Sequence, residues 1–147
     1  MGAAEISEGR FAVLRLLPGA DLVAELHAAL AASGAGAAAV TAAVGSLQRV
    51  EIRHADRDGA TLYEGRFEIV ALSGTLDPGG QHLHLAISDG EGQVRGGHLM
   101  ARGAEVYTTA EIVLLLLPEL RFERLPCAVS GYRELAIRRR GSGEGPG

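Results

Sequence analysis

The 147-residue sequence contains no lysine, no asparagine and no tryptophan, and its only cysteine is Cys127. A single cysteine cannot form an internal disulfide, which fits a reducing compartment. Since lysine is absent, all 14 basic residues are arginines, and 18 acidic residues bring the formal net charge to −4. This balance argues against a protein that binds nucleic acid through its overall charge.

Long apolar runs are also missing. The longest is Ile112–Leu117, whereas a membrane-spanning helix needs about 20 apolar residues. The first residues lack the basic and apolar regions of a secretory signal. We therefore expect a cytoplasmic protein with no membrane partner.

The chain is long enough for one domain with its own core. We expect this domain to cover residues 10–137. Residues 1–9 and the arginine- and glycine-rich residues 138–147 are predicted to be flexible, because neither stretch shows apolar periodicity.

The residues between the termini predict one clear helix and many strands. Asp21 can cap the helix, Leu22, Leu26 and Leu30 share one of its faces, and Ser33-Gly34 ends it. Ala37–Val44 fits a strand or a helix, and Ile112–Leu117 fits a strand buried on both faces or a core helix. The remaining strand predictions are Arg10–Leu17, Leu47–His54, Leu62–Glu64, Gly65–Leu72, Gln81–Ile87, Val94–Met100, Arg121–Leu125 and Arg133–Ile137. This pattern indicates an α+β fold, with a mainly antiparallel sheet and a flanking helix in a single domain.

The most informative segment for chemistry is His82-Leu83-His84, which is followed by His98. Residues two apart on a strand share a face, so His82 and His84 project together. If Gly90–Gly92 forms a three-residue hairpin loop, Asp89 faces Gln93 and His84 lies opposite His98. Three imidazoles then converge, which is a common zinc arrangement with an open fourth position.

This interpretation has alternatives. The histidines could be polar residues on the solvent face of a hairpin, and a one-residue bulge would turn His98 to the other face. We expect His27 and His54 to be surface residues, because neither has a partner at ligand spacing. Cys127 is expected to serve packing rather than nucleophilic chemistry.

An ordered set of short motifs resembles the PPC domain (plants and prokaryotes conserved). These motifs are Gly45-Ser46-Leu47, Gly65-Arg66-Phe67-Glu68-Ile69, Leu72-Ser73-Gly74, His82-Leu83-His84, Asp89-Gly90, Gly96-Gly97-His98-Leu99 and Thr109-Ala110-Glu111-Ile112. The resemblance implies a homotrimer built from α+β subunits, of the stand-alone prokaryotic type. It also implies a fold similar to that of acetolactate decarboxylase, a zinc enzyme with a His-x-His pair, which makes His82, His84 and His98 the metal candidates.

The resemblance further implies contacts with partners. In plant members a stretch that corresponds here to Gly65, Arg66, Phe67, Glu68, Ile69 and Val70 contacts other transcription factors, although this stretch also fits an ordinary half-buried strand. DNA binding is a family expectation, but the sequence has no Arg-Gly-Arg-Pro motif. The nearest candidates for nucleic-acid contact are Arg138, Arg139 and Arg140, although we favour their interpretation as a solvated terminal tail.

Two functions follow as hypotheses. The first is a trimeric PPC-domain binding or regulatory module, associated with DNA or with a DNA-binding protein, that carries a three-histidine zinc site. The second is a zinc-dependent enzyme that acts on a small carbonyl or carboxylate compound. Glu111 is a candidate for the surroundings of the metal, for a subunit boundary or for a plain surface position. A deep pocket with an acid or an arginine facing the metal would favour the enzyme, whereas a shallow patch would favour the module.

Overall fold

Residues 4–141 form seven strands and one helix in the computed structural model. The elements are β1 (Arg10–Leu16), α1 (Leu22–Ser33), β2 (Ala38–Arg53), β3 (Thr61–Asp77), β4 (Gly80–Ser88), β5 (Val94–Leu116), β6 (Leu120–Pro126) and β7 (Arg133–Arg139). The predicted α+β class, with a mainly antiparallel sheet and one helix in a single domain, is confirmed. No helix among the described residues is long and apolar enough to cross a membrane.

Five strands form one sheet in the order β1-β5-β2-β3-β4, and β6 pairs with β7 separately. The large sheet closes on itself because the first part of β5 pairs with β4 and the rest pairs with β2. His98 lies where the two pairings meet, with His84 as its Cα partner on β4 and Arg53 on β2. The closure of the sheet therefore determines what surrounds His98.

Several segments predicted as separate strands are continuous, so those boundaries are wrong. The segments Ala37–Val44 and Leu47–His54 join in β2, Leu62–Glu64 and Gly65–Leu72 join in β3, and Val94–Met100 and Ile112–Leu117 join in β5. Glycines and register shifts bend these strands without ending them. At Gly45, for example, φ is 133° and a Cβ atom would lie 2.2 Å from the carbonyl oxygen of Thr109.

The predicted helix is confirmed with its caps. The Asp21 carboxylate accepts a hydrogen bond from the Ala24 N–H, and Gly34 ends the helix in the left-handed conformation. Leu22, Leu26 and Leu30 are buried, and the helix packs mainly on β5. Fully burying a leucine side chain contributes about 1.5–3 kcal/mol, so this face accounts for the position of the helix.

The segment Ile112–Leu117 is a strand, but the prediction that both of its faces are buried is wrong for the single chain. Ile112, Leu114 and Leu116 lie in the core, whereas Val113 and Leu115 point to the other face and are only partly buried. The reason is that α1 covers one face of the sheet and leaves the opposite face open.

The C-terminal hairpin of β6 and β7 extends further than the sequence suggests. Arg138 and Arg139, within the predicted tail, belong to β7. The hairpin is held to the large sheet by Arg124, which pairs with the buried Asp77 at 3.2 Å and donates to the Thr75 hydroxyl at 2.7 Å. Residues 1–3 and 142–147 of the predicted flexible ends lie outside the described residues.

Gly97 provides a test of the closed sheet. A Cβ atom at this position would lie 2.6 Å from the Arg53 carbonyl oxygen, because β2 and β5 approach closely there. We expect Gly97→Ala to lower the free energy of unfolding by more than about 1 kcal/mol in urea titrations.

The matched control is Gly90→Ala in the exposed hairpin loop, where a Cβ atom would meet nothing within 4 Å. We expect that change to be within about 1 kcal/mol of neutral. Equal unfolding midpoints for the two variants would contradict the close approach of β2 to β5.

Candidate metal centre

The loop between β4 and β5 sets the register of the histidine hairpin. The Asp89 N–H donates to the Gln93 carbonyl at 3.1 Å, and the Gly92 N–H donates to the Asp89 carbonyl at 3.0 Å. Gly92 has φ 77°, as expected of the left-handed residue in a three-residue hairpin loop. The Asp89 carboxylate accepts hydrogen bonds from the N–H groups of Gln93 and Glu91, which lower its pKa. The predicted loop and its Asp89–Gln93 pairing are confirmed.

This register places His84 directly opposite His98, as predicted. Ring centroids are 5.1 Å apart for His82 and His84, 5.3 Å for His82 and His98, and 6.0 Å for His84 and His98. One ring nitrogen from each histidine lies within 4.8 Å of the other two. The strands therefore bring the three imidazoles together within one chain.

Core packing behind the hairpin fixes which way the histidines point. Leu83 and Leu85 alternate with the histidines and are 0% and 2% exposed. Slipping the strand by one residue would exchange the two sets of side chains, exposing leucine and burying imidazole. The hydrophobic core thus holds His82 and His84 on the outer face of β4.

The electrostatics of the cluster favour neutral imidazoles. Partial burial is the largest cause that lowers the pKa of His82 and of His98. The guanidinium of Arg53 and the neighbouring histidines lower both pKa values further, and Arg124 adds to the effect on His82. Neutral imidazole is the form that coordinates a metal, so the lowered pKa values keep both rings in the form that can bind one.

The geometry fits a divalent ion with modest adjustment. Nitrogens bound to one tetrahedral zinc lie about 3.4 Å apart, as follows from Zn–N distances of 2.0–2.1 Å. The Nε2 atoms of His82 and His84 are already 3.3 Å apart. At this distance the two rings either share a hydrogen bond, with one N–H donating to the other nitrogen, or share a metal ion. A ring nitrogen of His98 lies within 4.8 Å of both.

The histidines form one wall of a cleft of about 460 Å³. Residues 53–58 at the end of β2 form another wall, and Tyr132 from the loop before β7 adds a third. His82 and His84 are exposed and His98 is half-buried. The cleft thus joins an open histidine cluster to an arginine side chain, Arg53.

Several residues of this cleft were not singled out by the sequence reasoning, Arg53 and Tyr132 among them. His54 was expected to be a surface residue with no partner at ligand spacing; it is half-buried, and its ring contacts the Tyr63 hydroxyl at 2.6 Å and the Gly96 carbonyl at 3.0 Å. No sequence signal linked these residues to the histidines, because the β2–β5 register has shifts that cannot be counted in advance.

Glu111 does not join the cluster within the chain. It pairs with Val44 on β2, whereas His98 pairs with Arg53, nine residues further along that strand. Glu111 is not among the residues that line the cleft, and its place in the surroundings of the metal stays a prediction. Its contact across a subunit boundary stays a prediction.

The predicted partner stretch lies on β3. Phe67 and Ile69 are buried in the core, whereas Arg66, Glu68 and Val70 are exposed. A register shift between Ile69 and Ala71 then exposes Ala71, which simple alternation places inside. Contact of the three exposed side chains with a partner protein stays a prediction.

The three arginines predicted for nucleic acid already have partners. Arg138 pairs with Glu123, Arg139 pairs with Glu5, and Arg140 donates to the Gly34 carbonyl. They line a groove of about 720 Å³ beside the end of α1. Contact with DNA would have to displace these interactions, and it stays a prediction.

Comparison with known proteins identifies the family. The sequence model of the Plants and Prokaryotes Conserved (PCC) domain matches residues 3–118. The chain belongs to the PCC domain family. The predicted resemblance, made under the name PPC, is therefore confirmed, and the β6–β7 hairpin lies beyond the matched residues.

Relatives of this PCC domain occur in different settings. The chain is 50% identical over 124 residues to the bifunctional protein GlmU of Synechococcus sp., covering 84% of this chain but only 20% of GlmU. It is 37% identical over 94 residues to the AT-hook motif nuclear-localized protein 10 of Arabidopsis thaliana, covering 58% of this chain and 26% of that protein. The chain thus spans about a fifth to a quarter of these two relatives.

Solved structures share the fold over nearly the whole chain. A hypothetical protein from Salmonella cholerae-suis is 46% identical with a TM-score of 0.89, covering 92% of this chain and 98% of that one. A metal-containing protein from Archaeoglobus fulgidus is 29% identical with a TM-score of 0.76, covering 92% and 99%.

The lowered histidine pKa values predict a pH dependence of stability without metal. Below about pH 6.5 the unfolded chain binds more protons at His82 and His98 than the folded chain does. We therefore expect the free energy of unfolding of chelator-treated protein to fall as the pH is lowered from about 7 to about 5.5.

The double variant His82→Gln/His98→Gln removes both titrating groups and should show a shallower fall in the same urea titrations. An identical slope for this variant and the wild type would mean that the two imidazoles do not contribute.

Proposed function

We propose that this PCC domain is a binding module whose His82, His84 and His98 hold a divalent metal ion, zinc being the best match. The observation that carries the proposal is the convergence of three ring nitrogens within 4.8 Å on the wall of an open cleft. Three imidazoles leave one coordination position of a tetrahedral ion free for water or a ligand. The metal-containing relative from Archaeoglobus fulgidus supports this proposal.

Metal analysis tests the site directly. We expect purified protein reconstituted with zinc and desalted to contain about one ion per chain, and His84→Ala to lose it. His27→Ala is the matched control, because the His27 ring contacts Gln81 and lies outside the cluster.

The measurement is atomic emission spectroscopy on folded samples verified by circular dichroism. Equal zinc in wild type and His84→Ala would contradict the site, as would its absence from the wild type.

We further propose that three chains assemble through the open face of the large sheet. Phe11, Val13 and Val44 are 65%, 76% and 58% exposed on this face, and they surround the half-buried Val113 and Leu115. A contiguous apolar surface of this kind is typical of an interface between subunits. Glu111 lies on the same face opposite Arg15, which is consistent with its expected place at a subunit boundary.

The assembly is tested by Val13→Glu. We expect the wild type to sediment at about three times the mass of one chain, and the variant to sediment as single chains because a carboxylate would be buried unpaired. Val94→Glu is the control, since Val94 is 58% exposed on the β4–β5 hairpin and away from this face.

Analytical ultracentrifugation at matched concentrations decides between the outcomes. Val13→Glu that remains trimeric, or a monomeric wild type, would contradict the interface.

A zinc-dependent enzyme acting on a small carbonyl or carboxylate compound is the second candidate. Arg53 in the cleft wall favours it, because an arginine beside the open metal position can orient a charged substrate. A bound divalent ion would supply Lewis-acid chemistry or lower the pKa of a bound water. Binding of a small compound without its conversion favours the module, whereas zinc-dependent conversion of that compound favours the enzyme.

Association with DNA is a weaker proposal. The AT-hook relative supports it through its name, but this sequence lacks the Arg-Gly-Arg-Pro motif. The groove lined by Arg138, Arg139 and Arg140 is the surface on which such contact would have to form.

A further inference from the structure

Arg53 lines the cleft beside the metal candidates and forms no ion pair with a described residue. We propose that the cleft takes a small carboxylate ligand, bound between the guanidinium of Arg53 and the open position of the metal. This inference rests on the proposed function, because the metal provides the second contact.

Arg53 holds a distinctive position. It is the last residue of β2, its Cα is the register partner of His98, and its side chain lines the cleft half-buried. Within residues 4–141 its guanidinium makes no ion pair and no hydrogen bond. By contrast, several other arginines of the fold form ion pairs. These pairs are Arg49 with Glu51, Arg95 with Asp89 and Arg124 with Asp77.

The charges around Arg53 do not neutralise it. Asp56 and Asp58 line the same cleft on the exposed β2–β3 connection, with Arg57 between them, and neither carboxylate pairs with a described cation. Arg124, the other cation near His82, is already paired. Glu134 acts in the opposite sense, raising the pKa of His82. Among the described residues, Arg53 therefore has no ion-pair partner, and its guanidinium is available to a ligand in the cleft.

The electrostatic consequence concerns metal and ligand together. Arg53 lines the cleft and is the register partner of His98, so its positive charge repels a divalent ion held by the same histidines. An anion between the ion and Arg53 would offset this repulsion. Metal and carboxylate should therefore strengthen each other's binding, since coupling between two sites is reciprocal.

The donor set fits a carboxylate. A guanidinium presents parallel N–H groups that match two oxygens of a carboxylate or of a phosphate. Phosphate sites commonly add backbone N–H groups at a helix N-terminus or in a glycine-rich nest. This cleft is lined by strands and by the β2–β3 connection, with the only described helix elsewhere.

Tyr132 lines the same cleft from the β6–β7 hairpin. It lies on a loop closed by hydrogen bonds from the Cys127 N–H to the Tyr132 carbonyl and from the Gly131 N–H to the Cys127 carbonyl. The β6–β7 hairpin that carries Tyr132 is fixed to the large sheet by the ion pair of Arg124 with Asp77. Arg124 also donates to Thr75, whose register partner on β4 is His82. The body of the ligand would contact this ring.

The test measures zinc affinity by competition with a chromophoric chelator, with and without propionate. For the wild type we expect propionate to tighten zinc binding about tenfold. For Arg53→Gln we expect zinc to bind at least as tightly as in the wild type without propionate, because the repulsion is gone, and propionate to have less than about a twofold effect.

Two further variants sharpen the result. Arg53→Lys keeps the charge without the planar fork and should retain part of the propionate effect. Arg10→Gln is the matched control, because Arg10 is exposed on β1 and lies outside the cleft, and it should behave as the wild type.

Several results would overturn the inference. The first is an equal propionate effect in Arg53→Gln and Arg10→Gln. The others are weaker zinc binding by Arg53→Gln in the absence of propionate, and a phosphate effect exceeding that of propionate by about tenfold. Zinc content is measured on every sample, so failure of the wild type to bind zinc is distinguished as failure of the proposed function itself.

Discussion

The register of the β4–β5 hairpin is the constraint on which the histidine cluster depends. The Asp89 carboxylate closes the loop by accepting two backbone N–H groups, and Gly92 supplies the left-handed turn. Leu83 and Leu85 oppose any slip because a shift of one residue would move them out of the core. A local turn and a buried strand face together bring imidazoles from two strands to one point.

The closure of the sheet adds what the hairpin alone cannot provide. Because β5 passes from β4 to β2 at His98, the end of β2 is placed beside the cluster, and Arg53 becomes part of the cleft. The β6–β7 hairpin, beyond the residues matched by the family, then contributes Tyr132. The cleft is thus built from residues within the matched span and from the β6–β7 hairpin beyond it, which is anchored on Asp77.

The sequence was sufficient to predict what depends on local rules. The caps of α1, the three-residue loop after Asp89 and the opposition of His84 and His98 all follow from residue types at short spacing. It was insufficient where register had to be counted across long strands. The β2–β5 pairing has register shifts after Val40, Gly45, Leu47 and Val50, so neither the position of Arg53 nor that of Glu111 could be derived by counting. The docking of Tyr132 depends on the Arg124–Asp77 pair, whose residues are 47 apart in the chain.

The central claim is that the imidazoles of His82, His84 and His98 coordinate one metal ion. Zinc X-ray absorption spectroscopy of the reconstituted protein tests it most directly, because imidazole rings give characteristic multiple scattering. We expect three imidazole nitrogens and one further light atom at about 2.0–2.1 Å from zinc. Sulfur in the coordination shell, fewer than three imidazoles, or an ion surrounded only by oxygen would contradict the account.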